Sequence, residues 1–141
     1  MLIPNNKQNT KLFRYANTAR FAYNWALGRE KENYKNGGKF LSDSDLSNNV
    51  TKQAIKDACH AYKRFFKGCS KFPKFKSRQF SIPSFYQDNV KIQFSDTHVK
   101  IEGFAASKKK NKQKINWIRL AEKNRIPTDC NYSNPRIRYD G

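Results

Sequence analysis

Cations alternate with aromatic rings in residues 69–78, CSKFPKFKSR, and this combination is suited to binding a polyanion. Pro73 has a fixed φ and disfavours the helical conformation at Phe72, so this segment, here called the connector, is predicted to be extended. Phe72 and Phe75 could pin it to a core while its cations face outward. Those cations are Lys71, Lys74, Lys76 and Arg78. The alternative is a solvated linker with two anchoring aromatics, and these ten residues alone leave both interpretations open.

A second candidate site is the polar face of a helix predicted at about residues 48–67. Asn and Gln side chains can pair with adenine edges in a major groove, and Lys can reach phosphate or guanine. Only Asp57, near the edge of the face, offsets its cations. The alternative is a solvated face, because every surface helix needs a polar side. The polar residues recur at spacings of three and four: Asn49, Gln53, Lys56, His60, Lys63 and Lys67, with Lys52 beside them.

No constellation in this sequence is typical of catalysis or of a metal site. It has no glycine-rich phosphate loop and no Gly-x-Ser-x-Gly motif. Asp43, Asp45 and Asp57 are local and are better explained as caps and helix-surface residues. The cysteines are irregularly spaced and form no zinc pattern with the two histidines, so they are predicted to be free thiols: Cys59, Cys69 and Cys130. The sequence therefore predicts no metal, no cofactor and no enzymatic activity for this chain.

Two predicted helices must position these side chains. The first runs from Asn6 to about Asn36, has a candidate break at Asn17-Thr18, and ends at Gly37-Gly38. The second ends at Gly68. Apolar residues at spacings of three and four form a stripe on each helix: Leu12, Ala16, Ala19, Tyr23 and Ala26 with Phe13, Ala22 and Leu27 on the first, and Val50, Ala54, Ala58, Ala61 and Phe65 with Ile55, Tyr62 and Phe66 on the second.

After the connector the apolar period changes to two, which is typical of strands. Residues 90–101 are predicted to form a hairpin that turns at Asp96-Thr97. Further strands are predicted in INWIRL, residues 115–120, and at the start of PRIRYDG, residues 135–141. The intervening residues 107–114, SKKKNKQK, are a basic loop suited only to phosphate, and Lys108, Lys109 and Lys110 are its candidate contacts.

Composition narrows the class of partner. The 141 residues amount to about one domain, and 29 Lys and Arg against 11 Asp and Glu give a formal charge of +18. Such a charge favours polyanions, with nucleic acid first. A membrane is the weaker interpretation, because no apolar run approaches about 18 residues and the basic residues are spread along the chain. With 37% hydrophobic and 14% aromatic residues, the composition is not that of a disordered chain.

Five segments, in chain order, resemble the N-terminal portion of one family, the transposon-encoded OrfB or TnpB proteins. These are RNA-guided DNA nucleases related to the type V CRISPR effectors. The segments are ARFAYNWAL (19–27), SNNVTKQAIKDACHAYKRFFKG (47–68), FPKFKSR (72–78), PSFY (83–86) and NPRIRYDG (134–141). The resemblance implies an α+β fold in which residues 1–79 form a helical nucleic-acid-binding lobe of two to four helices. Residues 80–141 would form a small, incomplete antiparallel β-barrel.

The resemblance also implies roles for the two candidate sites. Phe72 and Phe75 would anchor the connector between lobe and barrel, while its cations contact nucleic-acid backbone, which gives affinity rather than sequence reading. Base reading would fall to the second helix. The complete set of predicted nucleic-acid contacts is Asn49, Lys52, Gln53, Lys56, His60, Lys63, Lys71, Lys74, Lys76, Arg78, Lys108, Lys109 and Lys110.

The sequence departs from the family pattern in three places. It lacks the basic strand that usually precedes the Pro-x-x-x-Gln segment. Family members usually have a further helical stretch between the positions equivalent to Leu46 and Ser47, and this stretch is also missing. It also stops at Gly141, before the RuvC-like domain with its three metal-binding carboxylates and before the zinc ribbon. The family's nuclease activity is therefore not transferred to this chain.

Four interpretations follow from these departures. The first is a nucleic-acid-binding OrfB-type region without catalysis, whose partners are a guide RNA and double-stranded DNA. The second is the recognition part of a nuclease completed by a separate RuvC-like polypeptide, and the third is a repressor that binds without cutting. The fourth is an incompletely folded fragment with exposed sheet edges. The expected location is the prokaryotic cytoplasm, in association with the nucleoid and without a membrane.

Overall fold

The computed structural model describes residues 1–38, 49–89, 91–101 and 116–141, with Asn49 and Val50 described by their backbone alone. Within these ranges the predicted α+β class is confirmed, since two helices accompany antiparallel sheets of four and two strands. These strands are not closed into a barrel. The elements are β1 (Leu2–Ile3), α1 (Asn6–Asn36), α2 (Asn49–Phe66), β2 (Ser84–Tyr86), β3 (Gln93–Phe94), β4 (His98–Lys100), β5 (Trp117–Leu120) and β6 (Arg136–Arg138).

Side-chain and backbone hydrogen bonds define both ends of α1. At its start, Asn5 Oδ1 accepts from the Gln8 amide at 2.9 Å and Gln8 Oε1 accepts from the Asn5 amide at 3.0 Å, which is a reciprocal capping box. At its end, Gly37 has a φ of 65° and the Gly38 amide donates to the Asn33 carbonyl at 2.8 Å. The predicted start and end are confirmed. The candidate break at Asn17-Thr18 is wrong, because α1 continues through it.

A glycine also ends α2, as predicted. Gly68 has a φ of 71°, and its amide donates to the Phe65 carbonyl at 2.9 Å. The Cys69 amide donates to the Arg64 carbonyl at 2.9 Å, which completes a Schellman motif. Because an L side chain is strained at this φ, glycine is the residue that lets the chain turn from α2 directly into the connector.

The chain divides into two compact units, of which the first comprises Met1–Arg14 and Gln87–Arg136. Its sheet has the strand order β1-β5-β4-β3. The predicted hairpin is confirmed, because β3 pairs antiparallel with β4 through Gln93↔Lys100 and Phe94↔Val99. Alternate residues are buried, as a sheet with one apolar face requires: Val99, Ile101, Ile118 and Leu120. Gln8 is buried as well and donates through Nε2 to the Trp117 carbonyl at 2.9 Å.

The second unit comprises Tyr15–Tyr86 and Ile137–Gly141. Its core is a stripe of small residues on α1 packed with the apolar face of α2, and both stripes follow the predicted spacing. Tyr62 Oη donates to the Leu27 carbonyl at 3.4 Å, and Cys59 Sγ donates to Glu30 Oε1 at 3.7 Å. The buried apolar side chains are Ala16, Ala19, Ala22, Tyr23, Ala26, Leu27, Ala54, Ile55, Ala58, Tyr62 and Phe85.

Several predictions from the sequence lie outside what the structure describes or stay predictions. The basic loop with Lys108, Lys109 and Lys110 lies outside the described residues, and so does the Asn49 side chain. The predicted strand at 115–120 is confirmed from Trp117 onward, and the strand near the end is confirmed as β6. The boundary between a lobe of residues 1–79 and a barrel of residues 80–141 remains a prediction. All three cysteines are free, as predicted.

Candidate nucleic-acid interface

The connector is bound to α1 by one asparagine side chain. Asn24 Nδ2 donates to the Lys76 carbonyl at 2.9 Å, and Asn24 Oδ1 accepts from the Lys76 amide at 2.7 Å. The connector has no regular secondary structure from Lys71 to Ser77, so these backbone groups have no ladder partner. A primary amide offers one donor and one acceptor side by side, which matches the N–H and C=O of a single extended residue. Asn24 therefore fixes the position of the connector along α1.

The connector runs along α1 in the opposite direction. Lys31 lies beside the Phe72 and Phe75 rings, with its Nζ 5.8 and 5.9 Å from their centroids, and Asn24 lies beside Lys76. The connector forms no helix from Lys71 to Ser77, which is consistent with the predicted extended conformation.

The Phe72 ring packs against α2. Its centroid lies 5.1 Å from that of Phe65 and 5.6 Å from that of Tyr62, and both contacts are edge-on. Edge-to-face geometry of this kind is favourable between aromatic rings. The ring is nevertheless not fully buried, since Phe72 is 38% exposed. Its truncation therefore costs less than the loss of a fully buried ring.

Lys76 is held differently from the other connector cations. Its Nζ lies 4.1 Å from the centroid of the Tyr23 ring, a cation–π contact. Burial raises the pKa of the Tyr23 phenol, the Asp57 carboxylate raises it further, and Arg64 lowers it. The phenol therefore stays neutral at physiological pH. Lys76 remains a predicted nucleic-acid contact, but its ammonium must leave this ring in order to reach a phosphate.

Lys71, Lys74 and Arg78 are the exposed cations of the connector. None of them forms an ion pair with a residue that the structure describes. Their charges are exposed, and their role as nucleic-acid contacts stays a prediction. An exposed ion pair would contribute little to the stability of the fold. Exposed cations on one fixed segment can instead each neutralise a phosphate.

On the polar face of α2, the Gln53 side chain has an internal partner. Gln53 Nε2 donates to Asp57 Oδ1 at 3.1 Å, one helical turn away. Lys52 and Lys56 are partly exposed, and His60 and Lys63 are exposed. This contact uses one of the two Nε2 hydrogens of Gln53, so it restrains the orientation of the amide that would read a base. Asp57, which the sequence places at the edge of the face, therefore restrains the residue best suited to base reading.

Sequence reasoning missed two residues that position the candidate interface. Asn24 stands in the AYNWAL segment, and a lone amide among apolar helix residues is a signal that it bonds to something specific. Lys31 could not be distinguished in the sequence from the other cations of α1. Its ammonium lies between two connector rings that are 41 and 44 residues further along the chain, and no local pattern contains that information.

Replacing Asn24 by Ala is expected to lower the free energy of unfolding by about 1 to 3 kcal/mol. Both hydrogen bonds between the Asn24 side chain and the Lys76 backbone are lost. Urea denaturation followed by circular dichroism measures the change. Asn17→Ala on the exposed side of α1 is the matched control and should be neutral or slightly stabilising, because Ala is the better helix former. Equal stabilities of the two variants would contradict the proposed anchoring.

Within the described residues no three His, Cys, Asp or Glu side chains are grouped as a metal site would require. Neither described helix has the length together with the apolar character needed to cross a bilayer.

Residues 1–39, which contain β1 and α1, match the helix-turn-helix domain of the OrfB IS605 family. The chain is also 25% identical, over an alignment of 136 residues, to an Escherichia coli (strain K12) protein whose name is "Putative RNA-guided DNA endonuclease InsQ". This alignment covers 83% of the chain and 34% of that relative, so the chain spans about a third of the relative's length. The resemblance to OrfB-type proteins is thereby confirmed.

Proposed function

We propose that this chain is a nucleic-acid-binding region of an OrfB-type transposon protein, which holds a guide RNA and duplex DNA beside the target and does not itself cleave. The helix-turn-helix match at residues 1–39 and the similarity to InsQ support DNA as a partner. The word "RNA-guided" in the relative's name is the support for RNA. In this proposal residues 1–79 form the binding lobe, and the predicted contacts are those of the connector, α2 and the basic loop.

The observation that carries the proposal is a row of exposed cations on a connector whose position is fixed. Asn24 holds the connector on α1, and the exposed Lys71, Lys74 and Arg78 extend along it. Residues 58–87 contain seven Lys and Arg and neither Asp nor Glu. A charged segment with a defined path can place its cations at successive phosphates without first losing the entropy of a flexible loop.

Binding of RNA and DNA by the purified chain should depend strongly on salt. If about six cations contact phosphate, log K against log salt should have a slope near −5 for duplex DNA and near −4 for single strands, because each contact releases counterions. Fluorescence anisotropy over a salt series measures this slope. The same assay with heparin as competitor separates polyanion binding in general from nucleic-acid binding. A slope near zero would contradict the electrostatic proposal, and metal-dependent cutting by the pure chain would contradict the absence of cleavage.

A second candidate function is the recognition part of a nuclease whose catalysis lies on a separate RuvC-like polypeptide. Its support is that the relative is named as an RNA-guided DNA endonuclease. Co-purification of the chain with a separately expressed RuvC-like polypeptide, followed by a metal-dependent cleavage assay, distinguishes this candidate. A chain that binds the target and blocks transcription without such a partner would instead be a repressor.

A further inference from the structure

A ring next to the connector is presented to solvent by a defined turn. Ser77 Oγ accepts from the amides of Gln79 and Phe80, both at 3.1 Å, and the Ser77 carbonyl accepts from the Ser81 amide at 3.0 Å. The Phe80 side chain in this turn is 83% exposed. A ring that an ordered turn holds almost fully exposed is available to a binding partner.

Phe75 is a second exposed ring, although two α1 residues lie beside it: Gly28 and Lys31, whose Nζ is 5.9 Å from the ring centroid. A Cβ added at Gly28 of α1 would lie 4.0 Å from Phe75 Cε1, so this edge of the ring lies over the helix. The ring is still 54% exposed. By contrast, Phe72 is engaged edge-on with two α2 rings. The connector thus has one packing ring, while Phe75 and the neighbouring Phe80 have open surface.

The chemistry around these rings indicates the partner. Lys74 and Arg78 flank them in sequence and are exposed, and residues 58–87 contain no carboxylate. A single-stranded nucleic acid offers a π-face at every base and an anion at every phosphate. Base stacking on aromatic side chains contributes to binding whatever the base, because every base has such a face.

A lipid surface also attracts rings and cations, but the arrangement here differs from that of a membrane-binding segment. Interfacial segments separate an apolar face from a cationic face, usually on an amphipathic helix. In the connector and its turn, rings and cations interleave along one non-helical segment, FKSRQF, residues 75–80. Interleaving suits a strand of alternating bases and phosphates.

We propose that Phe75 and Phe80 form a stacking platform for unpaired nucleotide bases, with Lys74 and Arg78 on the adjoining phosphates. This site rests on the proposed function and extends it from phosphate binding to the recognition of single strands. Unpaired bases are offered by RNA and by melted DNA alike. The platform is therefore expected to bind single strands in preference to duplexes. Oligomers of RNA and of DNA with the same sequence then show which of the two it binds more tightly.

Phe80→Ala is expected to weaken binding of a labelled oligoadenylate about 5- to 100-fold, because stacking on one base is lost. Binding of a fully paired duplex should change less than about twofold, since its bases are stacked internally. Phe75→Ala should act in the same direction, Phe80→Leu should resemble Phe80→Ala, and Phe80→Trp should keep the affinity. Ile82→Ala is the control, because Ile82 is 52% exposed and apolar but has no π-face. Anisotropy with RNA and DNA oligomers of one sequence, run on the full chain, measures all of these.

The outcomes separate this platform from the proposed function. If the wild-type chain binds neither ligand, both are overturned. If it binds both with a steep salt slope while Phe75→Ala, Phe80→Ala and Phe80→Leu keep single-strand affinity, the platform alone is overturned. The platform is also overturned if Phe80→Ala weakens duplex and single strands equally, or if the variants lose binding only to vesicles of anionic phospholipid. Equal melting temperatures of Phe80→Ala and Ile82→Ala establish that the loss reflects the ring rather than unfolding.

Discussion

Replacing Lys71, Lys74 and Arg78 together by Ala is expected to weaken RNA and duplex DNA alike, on the order of 10²-fold at about 0.1 M salt. Each cation that neutralises a phosphate contributes about 0.9 to the slope of log K against log salt for duplex DNA. The slope should therefore flatten by up to about 3 units. Anisotropy with one duplex and one RNA over a salt series measures affinity and slope in the same titration.

A charge-matched variant controls for the general field of a protein with a formal charge of +18. Lys7, Lys123 and Arg125 are exposed cations outside the connector, and replacing them by Ala removes the same three charges. This control should lose far less affinity, because none of the three charges it removes lies on the connector. If both triple variants weaken binding equally, the connector has no special role. Lys76→Ala is expected to lower the affinity for nucleic acid less than the triple variant does. It removes only one charge, and the Lys76 ammonium lies over the Tyr23 ring.

The helices could be predicted from sequence because their signals are local. Asn5 and Gln8 form a cap three residues apart, and glycines at 37 and 68 allow the backbone to leave each helix. The apolar stripes have the helical period, so the buried faces follow directly from the spacing. The break proposed at Asn17-Thr18 shows the limit of this reasoning. Propensity there disfavours helix only weakly, and packing of the alanine stripe on either side overrides it.

The path of the connector could not be predicted, because it depends on contacts between distant positions. The Asn24 amide meets the Lys76 backbone 52 residues further along the chain, and Tyr23 lies beneath the Lys76 ammonium. Composition identified the connector as cationic and aromatic. It did not show which ring packs and which stays exposed. In the structure Phe72 is the ring that packs, and Phe80 is a ring that stays exposed.

The interface on α2 illustrates a different limit. Helical spacing correctly put Gln53 and Lys56 on the polar side, and exposure of this side is consistent with binding. Spacing of four also puts Gln53 and Asp57 next to each other, and their hydrogen bond occupies one N–H of the Gln53 amide. The free protein therefore shows a restrained Gln53. Its role as a base reader stays a prediction that specificity measurements must test.

Gln53→Ala is expected to blur the preference at one or two positions of an A·T-containing motif while non-specific binding stays near its original strength. A bidentate contact between an amide and adenine contributes about 1 to 3 kcal/mol of discrimination, or roughly 5- to 150-fold between bases. The hydrogen bond to Asp57 at 3.1 Å restrains the amide, so a binding pose that breaks this bond offsets part of the discrimination. Selection from a randomised duplex library, with guide RNA supplied, measures the preference position by position.

Two further variants in the same selection give the prediction its controls. Lys56→Ala should do the reverse of Gln53→Ala, lowering affinity for every sequence while keeping the motif, because a lysine on phosphate holds position without reading bases. Asp57→Ala releases the Gln53 amide and removes the nearest carboxylate, so it should strengthen duplex binding and sharpen the preference at the Gln53 positions. If the wild-type chain enriches no motif, or if Gln53→Ala enriches the same motif, this side of α2 is a solvated face.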